Sequence, residues 1–178
     1  MKSWSKWRKG FIGVLAACTC AASLAFAVPA VSFASDDTGD SGISLLHNRD
    51  TPFDFHFTFW STSDRATVER KDNTSSTYVY LSSVDIDAAQ LYVDGRTPGT
   101  STFHNCMGGA DAVVNRGLQG QYCIRNLVYE RYGGAYGYAD AQLTGWGMGN
   151  EGDITGEWSP DSMYTYTPLN GYCNPNIW

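Results

Sequence analysis

Beyond residue 9 the chain contains a single lysine, Lys71. Binding to nucleic acid depends on clustered Lys and Arg that displace counterions from phosphate, so this scarcity excludes nucleic acid as a partner. No Cys-x-x-Cys occurs, and His104 with Cys106 offers two neighbouring ligands where zinc needs four. Asp85-Ile86-Asp87 and Asp94-Gly95 carry carboxylates but lack the Asp-x-Asp-x-Asp-Gly spacing of a calcium loop. The sequence therefore predicts no metal and no cofactor. After residue 34 no segment shows the 3.6-residue apolar period of a helix of ten or more residues, and there is no internal repeat.

Four of the 12 cationic residues, Lys2, Lys6, Arg8 and Lys9, are collected at the start, ahead of an apolar run from Phe11 to Ala27. Ser32-Phe33-Ala34 places small residues at the −3 and −1 positions of a signal peptidase site, just before Ser35-Asp36-Asp37. This predicts an export signal over residues 1–34 and a secreted, extracellular protein. Competing readings are cleavage after Ala27, a retained anchor over Phe11 to Phe33, and a cell-surface lipoprotein through the lipobox-like Leu15-Ala16-Ala17-Cys18. Removing 34 of the 178 residues leaves 144, in which 8 cations face 18 anions, a formal charge of −10. Twenty of those residues are Phe, Tyr or Trp. That is ample apolar surface to offset chain entropy, so one folded domain is expected rather than disorder.

Export also sets the redox setting. Cys106, Cys123 and Cys173 remain after cleavage, and three cysteines allow three single bridges. The glycine-rich segment between Cys106 and Cys123 favours a bridge between those two. Cys173 would then be an unpaired thiol or link two chains.

The rest of the chain reads as all-β. Residues 35–52 form a polar, flexible lead-in, and a β-sandwich domain is expected over 53–178. Phe53, Phe55, Phe57 and Phe59 alternate with Asp54, His56, Thr58 and Trp60, which puts four rings on one sheet face. Ser61 to Ser76 reads as a polar connection with a turn around Lys71-Asp72-Asn73-Thr74-Ser75. Strands follow at Thr77 to Leu81, Gln90 to Val93 and Tyr122 to Arg131, with Ala110 to Val114 as a short strand or helical turn. Gly133-Gly134 suggests a hairpin into a strand from Ala135 to Leu143, whose small residues leave one face low in bulk so that another layer can approach closely. A last strand runs from Ile154 to Trp158. Six to eight strands at this spacing predict a single β-sandwich, jelly-roll-like.

Four sequence features are candidates for chemistry. Gly39-Asp40-Ser41-Gly42 resembles the nucleophile motif of trypsin-like proteases but has no base placed to serve it. His104-Asn105-Cys106 would suit a thiol nucleophile, although adjacent loop residues rarely orient as a dyad. Glu130, Asp140, Glu151, Asp153 and Glu157 would suit a glycosidase pair only at the right separation, and His56 reads as an exposed sheet residue. No catalytic residue is assigned. The candidate binding aromatics are Tyr136 and Tyr138, expected on one strand face, with Trp146 and Trp158 nearby.

Gly156-Glu157-Trp158-Ser159-Pro160-Asp161-Ser162, with the alternating Phe strand and Asn73-Thr74-Ser75 upstream, resembles a group of small exported all-β proteins of Gram-positive bacteria. They share a Trp-Ser-Pro-Asp-Ser-like ending, and some lie in loci resembling bacteriocin export clusters. This chain departs from that pattern by 16 further residues after Ser162. No catalytic residues are established for that group, so the resemblance carries no chemistry over; with no catalytic constellation of its own, the chain is expected to be a non-enzymatic exported protein acting by contact outside the cell, on a protein or cell-envelope glycan, with the membrane involved only in export unless the signal is retained or Cys18 is lipidated. A carbohydrate-binding module is the alternative, marked by an exposed coplanar row of Tyr and Trp, and a secreted hydrolase is more remote.

Overall fold

The computed structural model describes residues 49–175, so the signal segment, Gly39-Asp40-Ser41-Gly42 and most of the lead-in lie outside the described residues. Two five-stranded sheets face each other. The first has the order β1 (Thr51–Phe57), β9 (Gly152–Ser159), β3 (Thr77–Asp85), β7 (Gly120–Ile124), β10 (Thr167–Asn170). The second has β2 (Ser63–Lys71), β8 (Ala139–Trp146) and β4 (Ala88–Arg96), whose far edge is shared by β5 (His104–Asn105) and β6 (Ala112–Asn115). Pairing is antiparallel except for β10 on β7. The expected all-β sandwich is present, with ten strands rather than six to eight.

The alternating Phe strand is β1, where Phe53, Phe55 and Phe57 are buried and Asp54 and His56 point outward. The period stops at Phe57, however. Phe59 lies in the loop after β1 and is 73% exposed, so three rings rather than four line the core. The rings pack edge to face or tilted, with centroids 4.8 Å apart for Phe53 and Phe55 and 6.2 Å for Phe55 and Phe57. Opposite them, β8 buries Ala139, Ala141, Leu143 and Gly145. A Cβ at Gly145 would come within 2.7 Å of the Phe55 ring and 2.8 Å of the Phe57 ring, which is the close layer approach that the small-residue face implied.

Several elements differ from the sequence expectation for identifiable reasons. β2 runs through the stretch expected to be a polar connection; as an edge strand it buries only Ala66 and Lys71, so it lacks an alternating apolar signal. β1 begins at Thr51, inside the expected lead-in, because Thr51 and Pro52 pair with Trp158 and Glu157. The expected strand through Arg131 ends at Ile124, and Val128–Tyr132 forms a short helix, α1. Its Val128 fills a space beside Gly95 that a Cβ there would occupy, at 2.7 Å. β8 consequently starts at Ala139, leaving Tyr136 and Tyr138 in the preceding turn. Ala112–Asn115 is a strand, resolving the open choice there.

Candidate functional site

The aromatic residues chosen from sequence do not converge. Trp158 is fully buried, because β9 is paired on both sides and Trp158 continues the inward set of Ile154 and Gly156. It is a core residue, not a binding aromatic. Tyr136 is 57% exposed and meets Tyr138 at 65°, with the Arg70 guanidinium 4.1 Å above the Tyr138 ring. Trp146 sits at the other end of β8, about 26 Å along the strand from Tyr138. These rings form no coplanar row.

A different set comes together at the Trp146 end. The β1–β2 loop carries Phe59 and Trp60, 73% and 90% exposed, with centroids 4.9 Å apart at 88°. The β8–β9 loop lies beside it: the Gly147 amide donates to the Thr62 carbonyl at 2.9 Å, and the Phe59 amide donates to Glu151 Oε1 at 2.8 Å. Trp146, the last residue of β8, and Met148 on that second loop are each 41% exposed. Four large apolar side chains therefore occupy one end of the sandwich, one at the end of β8 and three on two loops fastened to each other.

The β8–β9 loop also holds backbone strain. The Asn150 amide donates to the Gly147 carbonyl at 2.7 Å, closing a turn whose central residues, Met148 and Gly149, have φ of 52° and 84°. Positive φ at both central positions is the type I′ pattern, which Asn or Gly fills without strain and Met does not. Among the described residues Met148 is the only non-glycine with positive φ. A long apolar side chain held in this conformation on an exposed tip costs about 1–2 kcal/mol and makes the tip a functional candidate.

Six of the residues considered for catalysis, His56, His104, Cys106, Asp140, Glu151 and Asp153, have a structural partner. Cys106 is buried, and its thiol donates to the His104 carbonyl at 3.2 Å; burial pushes that thiol up, against the pull of Arg131. A nucleophile needs the opposite shift. The His104 ring stacks on Tyr132 with centroids 6.1 Å apart. Arg96 holds Asp140 at 2.8 Å, Glu151 accepts the Phe59 amide, and Asp153 pairs with His56, whose pKa is raised mainly by that hydrogen bond. Arg116 binds both Asp85 and Asp87, putting a cation where a calcium ion would need their oxygens. Among the described residues no group of three or more His, Cys, Asp or Glu is placed to hold a metal. A cavity of about 160 Å³ among Tyr78, Tyr164 and Tyr166 falls below the usual size for a ligand pocket, and a second of about 460 Å³, beside Thr51, Pro52, Thr67 and Glu69 of β1 and β2, reaches it but holds none of the residues considered for catalysis.

The expected Cys106–Cys123 bridge is not formed, and the three cysteines among the described residues are free thiols. The two are held by different elements. The Cys106 amide is bound to Val93 on β4, whereas Cys123 lies in β7 between Tyr78 and Pro168. The neighbour of Cys123 is Cys173: both sulfurs contact the backbone of Tyr166.

The Trp-Ser-Pro-Asp-Ser segment has a structural explanation centred on Lys71. This lysine is fully buried, and its ammonium donates to the Ser75 carbonyl at 2.6 Å, the Pro160 carbonyl at 2.6 Å and Asp161 Oδ1 at 3.1 Å. Asp161 also accepts from the Asp72 amide at 2.8 Å and the Ser75 hydroxyl at 3.3 Å, and that hydroxyl accepts from the Ser162 amide at 3.0 Å. The clamp ties the end of β2, in one sheet, to the segment leaving β9, in the other. Upstream in the same segment, a Cβ on Gly156 would collide with the Tyr80 carbonyl oxygen, so only glycine permits that approach of β9 to β3.

The family described as "Protein of unknown function (DUF2712)" matches residues 43–162. The chain belongs to the DUF2712 family. Comparison with curated proteins and with solved structures gives no match. The DUF2712 span runs through β1 to β9 and closes on Ser162, the last residue of the Lys71 clamp. It contains the aromatic end, including Phe59 and Trp60, which the sequence analysis had assigned to opposite faces of one strand. Their signal was present as two adjacent rings running directly into Ser61-Thr62-Ser63-Asp64, a pattern that ends a strand and presents both rings on a loop.

Proposed function

We propose that this protein is exported and acts outside the cell by contact, without catalysis, using Phe59, Trp60, Trp146 and Met148 as its contact surface. The observation that carries this reading is the exposure of Trp60 (90%) and Phe59 (73%) on a loop that is hydrogen-bonded to its neighbour rather than free. Large aromatics left in water lose free energy that burial against a partner recovers, and Trp is the residue most enriched at binding hot spots. Strain at Met148 adds support, since a fold tolerates an apolar residue there at the expense of stability.

The perpendicular Phe59–Trp60 pair suits insertion into an apolar cleft, so a protein of the cell envelope is the favoured partner. Binding to glycan is the second reading and calls for stacked, coplanar rings. The resemblance to proteins of bacteriocin-type export loci suggests a genomic setting of that kind. Cosedimentation of the purified protein with intact Gram-positive cells, with isolated peptidoglycan and with lipid vesicles tests the reading. Protease-sensitive binding to cells, lost in the Phe59→Ser/Trp60→Ser variant, is expected. Equal binding by that variant would refute the proposed surface.

A further inference from the structure

The segment after the DUF2712 span folds back over the domain that it follows. From Met163 it passes Tyr166, whose ring lies 4.8 Å from that of Tyr78, then pairs as β10 with β7, and reaches Asn174. Asn174 is fixed to the β2–β3 turn by three hydrogen bonds: its carbonyl accepts from the Ser76 amide at 2.7 Å, its amide donates to the Ser76 hydroxyl at 2.9 Å, and its side chain donates to the Thr74 carbonyl at 2.9 Å. The segment is thus a strap with anchors at both ends, lying against β7 and against the turn that also houses the Lys71 clamp.

Within this strap the two sulfurs share one site. The Cys123 thiol donates to the Tyr166 carbonyl at 3.7 Å, and the Tyr166 amide donates to the Cys173 sulfur at 3.5 Å, so both sulfurs contact the backbone of the one residue Tyr166. Cys173 also reaches the Tyr164 carbonyl at 3.8 Å. Cys123 is fully buried while Cys173 is half-buried. Cys106 lies just after β5, with its thiol turned toward the His104 carbonyl.

We propose that Cys123 and Cys173 are a disulfide-forming pair that locks the C-terminal strap onto β7 when the protein meets an oxidising thiol–disulfide reagent. Cys173, the accessible member, gives up its proton and attacks one sulfur of an external disulfide R–S–S–R, expelling one thiolate, which leaves as RSH. Cys123 then gives up its proton and attacks the Cys173 sulfur of the mixed disulfide, expelling the second RSH. Two protein thiols are oxidised to one disulfide, and one external disulfide is reduced to two thiols. Burial pushes the Cys123 thiol up, and the neighbouring Cys173 adds to this, which fits Cys123 as the second, resolving partner rather than the first nucleophile. The bond closes a long loop, from Cys123 in the family span to Cys173 beyond it, and so constrains the unfolded chain strongly.

The test uses the full chain incubated with oxidised glutathione, blocked with iodoacetamide and digested with trypsin without reduction. Cleavage at Arg and Lys puts Cys106, Cys123 and Cys173 on separate peptides, residues 97–116, 117–125 and 132–178, with Cys18 and Cys20 on 10–49. The expected result is 117–125 linked to 132–178 in a species that runs as a monomer, with Cys106 carrying the alkyl group. In thermal unfolding, Cys123→Ser and Cys173→Ser should each lower Tm by roughly 12 to 20 °C against the oxidised wild type. Dithiothreitol should bring the wild type down to the variants and leave both variants unchanged. Linkage of 97–116 to 117–125, a dimer joined through 132–178, or free Cys123 after glutathione treatment would each overturn the proposal.

Discussion

Lys71→Met tests the energetics of the buried clamp directly. The substitution keeps an unbranched chain of similar length but removes the ammonium from three acceptors: the Ser75 and Pro160 carbonyls, both at 2.6 Å, and Asp161 Oδ1 at 3.1 Å. Asp161 keeps the Asp72 amide and the Ser75 hydroxyl but becomes a buried carboxylate without a counter-ion. Breaking one side of a buried pair typically costs about 3 to 5 kcal/mol, and the two orphaned carbonyls place Lys71→Met at the upper part of that range. Asp161→Ala should cost about as much, because it strands the ammonium. The double variant Lys71→Met/Asp161→Ala should then lose much less than the sum of the two, since neither charge remains to be stranded. Urea unfolding followed by Trp fluorescence is a suitable assay, because Trp158 is buried three residues before Asp161. The midpoint should fall while the slope stays constant. A pH series adds a signed check. Burial lowers the Lys71 pKa from its ordinary value near 10.5, so the unfolded state binds more protons between the lowered value and 10.5. Wild-type stability relative to Lys71→Met should therefore rise as the pH climbs through that interval. Two single variants each within about 1 kcal/mol of wild type, or an additive double variant, would refute the clamp.

Four further outcomes follow from the packing and the surface. Phe55→Ala should destabilise by about 3 to 5 kcal/mol, and Gly156→Ala by about 3 kcal/mol because its Cβ meets the Tyr80 carbonyl, both read by the same unfolding assay. The His56 ring should titrate above its ordinary value near 6.5 by NMR because of the Asp153 hydrogen bond, and Asp153→Asn should move it back toward 6.5. Its contribution to stability is complete below 6.5 and disappears as the pH rises through the raised value. Met148→Gly should raise stability by about 1 kcal/mol by relieving the positive φ, while weakening binding at the aromatic end.

The legible parts of the fold were those whose burial leaves a periodic trace. β1 alternates because one face meets the other sheet, and the small-residue face of β8 is visible because Phe55 and Phe57 press onto Gly145. β2 left no such trace. Its most buried side chain is a lysine, and a fully buried Lys71 looks in sequence like part of a polar turn, since its partners Pro160 and Asp161 lie about ninety residues away. The same remoteness hid the sulfur pairing: a glycine-rich interval suggested Cys106 with Cys123, but the parallel placement of β10 beside β7 brings Cys173 to Cys123. Trp158 and Trp60 exchanged roles for a related reason. Ring chemistry is identical at both positions, and only the pairing of β9 on two sides and the end of β1 at Phe57 decide which one reaches water.

The aromatic end is the proposed contact surface, and two double variants at opposite ends of β8 test it. Phe59→Ser/Trp60→Ser removes the rings at the Trp146 end, whereas Tyr136→Ser/Tyr138→Ser removes one exposed and one partly exposed ring at the other end. Both should retain wild-type stability within about 1 kcal/mol, since the changed residues are outside the core. Binding to intact cells should fall at least tenfold in the first variant and remain at wild-type level in the second; the reverse pattern, or equal losses in both, would contradict the account.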